Sequence, residues 1–153
     1  MNPHPQAKVF KVLHKSAAVL DTNVVLDWLV FGNPQCAPLV QAIEQGHLRW
    51  LVTEPMRDEL AHVLGRGVVD AWRPDLDRLW ESWRRLSETV KAPVTTGEAL
   101  RLRCTDADDQ KFVDLALSNA QWLISRDRAV LKLARRAQRL GVRVATPERW
   151  IAE

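Results

Sequence analysis

Short apolar runs of strand length alternate along this chain with stretches of helical spacing, and acids stand where the runs give way to helices. Ala17–Leu20 stops at Asp21, and Trp122–Ser125 stops two residues before Asp127. Runs this short and unalternated fit strands buried on both faces, and parallel strands need crossovers, usually helical, between them. The order reads β, α, α, β, α, a long helical stretch, then α, β, α, β. That order implies an α/β sandwich with a mostly parallel sheet.

Strands are expected at Ala17–Leu20, Arg49–Val52, Trp122–Ser125 and Val142–Ala145. Helices are expected from about Val24, over Pro38–Gln45, from a Thr53 cap to Leu64, over Ala107–Asn119 and over Arg128–Leu140. Gly46 and Gly141 act as stop signals. Between them Trp72, Leu76, Leu79, Trp80, Trp83, Leu86 and Val90 recur at helical spacing. That stripe belongs to the core or to a subunit contact rather than to a nucleic-acid platform.

A length of 153 residues with 46% hydrophobic content supplies one core, so residues 16–153 read as a single domain behind a flexible tail, 1–15. The most hydrophobic stretch, Val19–Phe31, is interrupted by Asp21, Asn23 and Asp27, which excludes a membrane span. Cys36 and Cys104 are too few for a disulfide framework, and a soluble cytoplasmic protein is the expectation. The net charge of +3 is compatible with a polyanionic partner but does not identify one.

The acids carry the chemistry. Asp21 follows a strand directly, which places it at the carboxyl edge of a parallel sheet, although Asp is also a good helix cap. On the helix after Thr53, Met56, Leu60, Val63 and Leu64 define the buried stripe. Asp58 then faces away, Glu54 turns towards solvent, and Glu59 lies on the flank. Asp109 shares a face with Phe112, Val113 and Ala116, whereas Asp114 points away. A core-side carboxylate is costly unless a cation or hydrogen bonds compensate it. Asp127 repeats the Asp21 situation, again with capping as the ordinary explanation. Several carboxylates brought together repel one another unless a cation sits among them, and hard oxygen ligands suit Mg²⁺ or Mn²⁺.

The segments VLDTNVVLDWL, DEL, DADDQKFVDLAL, WLISRDRAVL and GVRVATPERW, in this order, resemble a PIN domain. The likeness is to the small prokaryotic PIN proteins that serve as toxins of toxin–antitoxin pairs. The resemblance implies a three-layer α/β/α sandwich whose acids line a pocket at the sheet's carboxyl edge. It places the catalytic set on Asp21, Glu59, Asp109 and Asp127, with Asn23 and Asp106 as supporting positions. Many similar proteins carry a further acid where this chain has Ala129, which leaves open whether one metal ion binds or two. Asp27 is not counted as a ligand.

Both lines of reasoning lead to metal-assisted phosphodiester hydrolysis, with RNA as the substrate implied by the resemblance, and with Mg²⁺ or Mn²⁺ held directly by Asp21 and Asp109. Asp127 and Glu59 would bind through water or complete a second site. None of the four histidines is needed as a base. Arg128, Lys132, Arg135 and Arg139 recur at i, i+4, i+7 and i+11 as one basic stripe, a surface able to track single-stranded RNA. An antitoxin protein and a homodimer are the partners implied by the resemblance. The alternative is a non-catalytic RNA-binding or scaffold PIN domain acting within a complex. A phosphoaspartyl phosphatase is disfavoured because its second acid would fall at Asn23.

Overall fold

Four residues of unbroken burial, Ala17–Leu20, put β1 at the centre of the sheet. The computed structural model describes residues 15–94 and 102–151, so the expected tail lies almost wholly outside the described residues. After β1 come α1 (Thr22–Leu29), α2 (Ala37–Glu44), β2 (Arg49–Val52) and α3 (Glu54–Gly65). The chain continues with α4 (Leu76–Leu86), β3 (Ser87–Thr89), α5 (Gln110–Asn119) and β4 (Trp122–Ile124). It closes with α6 (Arg128–Leu131), α7 (Ala134–Arg139) and β5 (Arg143–Ala145). The five strands lie in the order β3-β2-β1-β4-β5, and every pairing is parallel.

This order reverses at β1. Right-handed crossovers put α1–α4 on one face and α5–α7 on the other, which makes the three-layer sandwich. The core runs from Val24 and Val25 through the strands to Phe112, Val113, Leu115 and Ala116. No helix among the described residues is long and apolar enough to cross a membrane.

Two expectations about elements need correction. The long helical stretch after Trp72 does not continue to Val90. Arg73 takes a left-handed conformation, Asp75 caps a new helix by accepting from Arg78 N at 3.1 Å, and that helix ends at Leu86. There the Ser87 hydroxyl bonds the Trp83 carbonyl, and Ser87–Thr89 becomes an edge strand in register with Trp50–Val52. Trp72 stands 56% exposed outside the helix, so the stripe is divided: Leu79 and Trp83 are core, and Trp72 is not.

The helix expected over Arg128–Leu140 is likewise two short helices. A tighter bond, Leu133 N to Val130 O at 2.9 Å, breaks the ladder between them. It keeps Val130, Leu133 and Ala137 together on the buried side.

Candidate active site

The register of the two central strands sets the first acid. Leu20 lies opposite Ile124, so Asp21 and Ser125 emerge side by side at the carboxyl edge. Ser125 Oγ donates to Asp21 Oδ2 at 2.6 Å, with both residues buried. Asp21 occupies the N-cap position of α1, yet its side chain caps nothing. The capping explanation therefore fails for this carboxylate. Burial pushes its pKa up, the Ser125 bond pulls it back, and the charges of Glu59 and Asp127 push it up further. The site sits where β1 and β4 send their chains to opposite faces, the crevice in which open parallel sheets bind ligands.

The second acid comes from a turn. Ala107–Asp109 forms one turn of 3₁₀ helix ahead of α5, capped by Asp106 Oδ1 accepting from Asp108 N at 3.0 Å. Asp109 does not return a bond to this cap. It is 8% exposed, and its buried Oδ2 has no hydrogen-bond partner. Its pKa is pushed up to about 8, first by burial, then by the charge of Asp21, then by the approaching Asp127 carboxylate. Asp127 caps α6 through Oδ1, which accepts from Ala129 N at 2.8 Å. Capping is thus real for Asp127 and Asp106, but it uses one oxygen of each. Asp106, Asp109 and Asp127 bring ligand oxygens within 4.8 Å of one another, the one such acidic group among the described residues. A buried, unpartnered carboxylate oxygen amid two further carboxylates fits a hard divalent cation.

Glu59 sits on the flank of α3 as its wheel position implies, with Met56, Leu60 and Leu64 buried and Glu54 and Asp58 exposed. Its carboxylate is already engaged, with Thr22 Oγ1 donating to Oε2 and Lys111 Nζ lying 2.7 Å from Oε1.

Residues 17–129 match the family model described as the PIN domain. This chain belongs to the PIN-domain family. PIN domains are generally metal-dependent nucleases, and the converging carboxylates are compatible with metal binding. No curated protein matches the sequence.

The match to the PIN domain ends at Ala129, so Lys132, Arg135 and Arg139 lie beyond it, as do β5 and the tail. Those three and Arg128 are all exposed. Asn23 Oδ1 accepts from Arg126 N at 3.4 Å, which ties α1 to the loop that carries Asp127. Asp27 is paired with Arg126, which also reaches Glu148 at 3.1 Å and Gln35 at 3.2 Å.

Asp114 does not simply face solvent. It is half-buried and accepts from Gln110 Nε2 at 2.9 Å, while Gln110 also holds the Leu102 and Cys104 backbone. A cavity of about 660 Å³ opens at the sheet's amino edge, lined by Lys15, Arg49, Arg85 and Glu88. Its lining acids are Glu44 and Glu88, and Glu88 is held by Arg49 at 2.7 Å.

Sequence reasoning missed Ser125, Thr22 and Lys111. Ser125 could be found only through the β1–β4 register. Lys111 could be found only through its contacts with Glu59, 52 positions away, and with the Asp108 carbonyl oxygen.

Proposed function

We propose that this PIN domain is a Mg²⁺- or Mn²⁺-dependent endoribonuclease that hydrolyses phosphodiester bonds in single-stranded RNA. We further propose that it acts as the toxin of a toxin–antitoxin pair, held in check by an antitoxin protein. The observation that carries the nuclease reading is the buried, unpartnered Oδ2 of Asp109 beside Asp106 and Asp127. Asp21, Asp109 and Asp127 would hold the ion, with Asp21 fixed by Ser125 and Asp106 at the exposed rim. A divalent ion bound there supplies acid strength to an attacking water and charge for the leaving oxygen.

The protein's own groups do the rest. Ser125 holds Asp21 in one rotamer, the Asp127 cap fixes that carboxylate on α6, and Arg128 begins the basic path along which RNA approaches. The exposed edge-on pair of Phe31 and Trp72, 4.7 Å between ring centres, is the apolar surface we assign to a homodimer contact.

The test is cleavage of single-stranded RNA by the purified chain with and without Mn²⁺. Cleavage that needs the ion and disappears in Asp109→Asn supports the reading. RNA binding without cleavage under any metal would replace it with a scaffold PIN domain.

A further inference from the structure

Both oxygens of Glu59 are taken, by the Lys111 ammonium at 2.7 Å and by the Thr22 hydroxyl. Lys111 is anchored a second time, 2.6 Å from the Asp108 carbonyl oxygen. It is therefore fixed between α3 and the turn that delivers Asp109. The side chains of Lys111 and Glu59 are 29% and 27% exposed, so this is a placed charge in a partly covered site rather than a mobile surface pair. By contrast, none of the ion pairs among the described residues involves Asp106, Asp109 or Asp127.

Two-ion phosphodiesterase sites hold their ions about 3.5–4 Å apart, each neutralising carboxylates on its own side. Here one side presents acids without a cationic partner, and the other side already contains a cation.

Resting on the metal-dependent reading above, we propose that Lys111 is the second cation of this site. Its ammonium fills the place beside Glu59 that a second divalent ion would take, and each chain holds one divalent ion, at Asp109. An ammonium has three N–H donors. Two are used on Glu59 and Asp108, and the third is left for a substrate phosphate oxygen. Glu59 is then a positioning residue that orients Lys111, not a metal ligand. The departure at Ala129 agrees with this, because the chain lacks an acid there to hold a further ion.

Calorimetric titration of Mn²⁺ into the metal-free chain, without RNA, counts the ions directly. Wild type is expected to take one ion and Asp109→Asn none. Glu59→Gln should still take one, with affinity lowered by no more than about a hundredfold, the range of an outer-shell group. Lys111→Met, which keeps an apolar stem without the charge, should admit a second, weaker ion. Adding Glu59→Gln to it should remove that ion again, and Lys111→Arg should keep one. Circular dichroism melts identify which variants are folded, with Lys111→Gln as the substitute should Lys111→Met fail. Two ions per wild-type chain, or a folded Lys111→Met or Lys111→Gln that takes only one, overturns the proposal while leaving the nuclease reading intact. A wild-type chain that takes no Mn²⁺ defeats the metal-dependent reading itself, and this proposal falls with it.

Discussion

At neutral pH the Asp109 carboxyl, with its pKa pushed up to about 8, holds a proton unless a cation lies against it. In the unfolded chain the same group titrates near 3.8. Between these values the folded state binds a proton that the unfolded state has released, so stability is lost as pH rises through that window. Asp21 is shifted in the same direction, also through burial. The metal-free protein should therefore melt at lower temperature at about pH 8 than at about pH 5. Asp109→Asn should reduce that slope and melt above wild type at the higher pH, while losing Mn²⁺-dependent cleavage. Scanning calorimetry across pH checks this, and a slope unchanged by the substitution would contradict it.

A second residue-scale expectation concerns Ser125. Its hydroxyl is the donor to buried Asp21 at 2.6 Å. Ser125→Ala should cost about 1–3 kcal/mol through the carboxylate left short of a donor. It should also weaken Mn²⁺ binding by about 10–100-fold. Denaturant melts and metal titration read the two separately, and an unaltered metal affinity would take Asp21 out of the site.

At the scale of elements, the tryptophans serve to join helices to the sheet. Trp28, Trp50, Trp83 and Trp80 form a continuous chain of ring contacts joining α1, β2 and α4, with centroids 5.1, 5.1 and 5.9 Å apart. Trp122 and Trp150 make a second cluster beside β4. Most of the tryptophans are thus packing residues.

The elements that were hard to read share one cause. Ser87–Thr89 is a polar edge strand held by backbone pairing and by Arg49 against Glu88, so no apolar run announces it. The break at Lys132 and Leu133 involves a single tightened turn that side-chain spacing does not register. All four basic residues of the expected stripe nevertheless remain exposed across that break. If they track RNA, Arg135→Ala with Arg139→Ala should lower affinity and flatten the log–log salt dependence by about 0.7 for each phosphate no longer neutralised. Metal affinity should not change. Fluorescence anisotropy at several salt concentrations tests this, and an unchanged slope returns the stripe to an ordinary solvated surface.

For the whole molecule, the exposed apolar pair of Phe31 and Trp72, 37% and 56% exposed, gives the expected dimer a measurable handle. Trp72→Ser should shift sedimentation from dimer to monomer without loss of folding, and a wild-type chain that sediments as a monomer would end that assignment. The sequence by itself determined the parallel α/β class, the strands of the sheet centre and the positions of Asp21, Glu59, Asp109 and Asp127. It could do so because burial on both faces requires unbroken apolar runs, because acids just after such runs fall at the sheet's carboxyl edge, and because helical periodicity puts Glu59 on the flank of its helix. Only the tertiary structure decided how these acids are used. Strand register put Ser125 against Asp21, a 3₁₀ turn left Asp109 buried and unpartnered, and the Lys111 side chain at the start of α5 reached Glu59 on α3. The first and the last join residues 104 and 52 positions apart, where spacing along the chain carries no geometric information, and the turn is a local tightening that side-chain periodicity does not register.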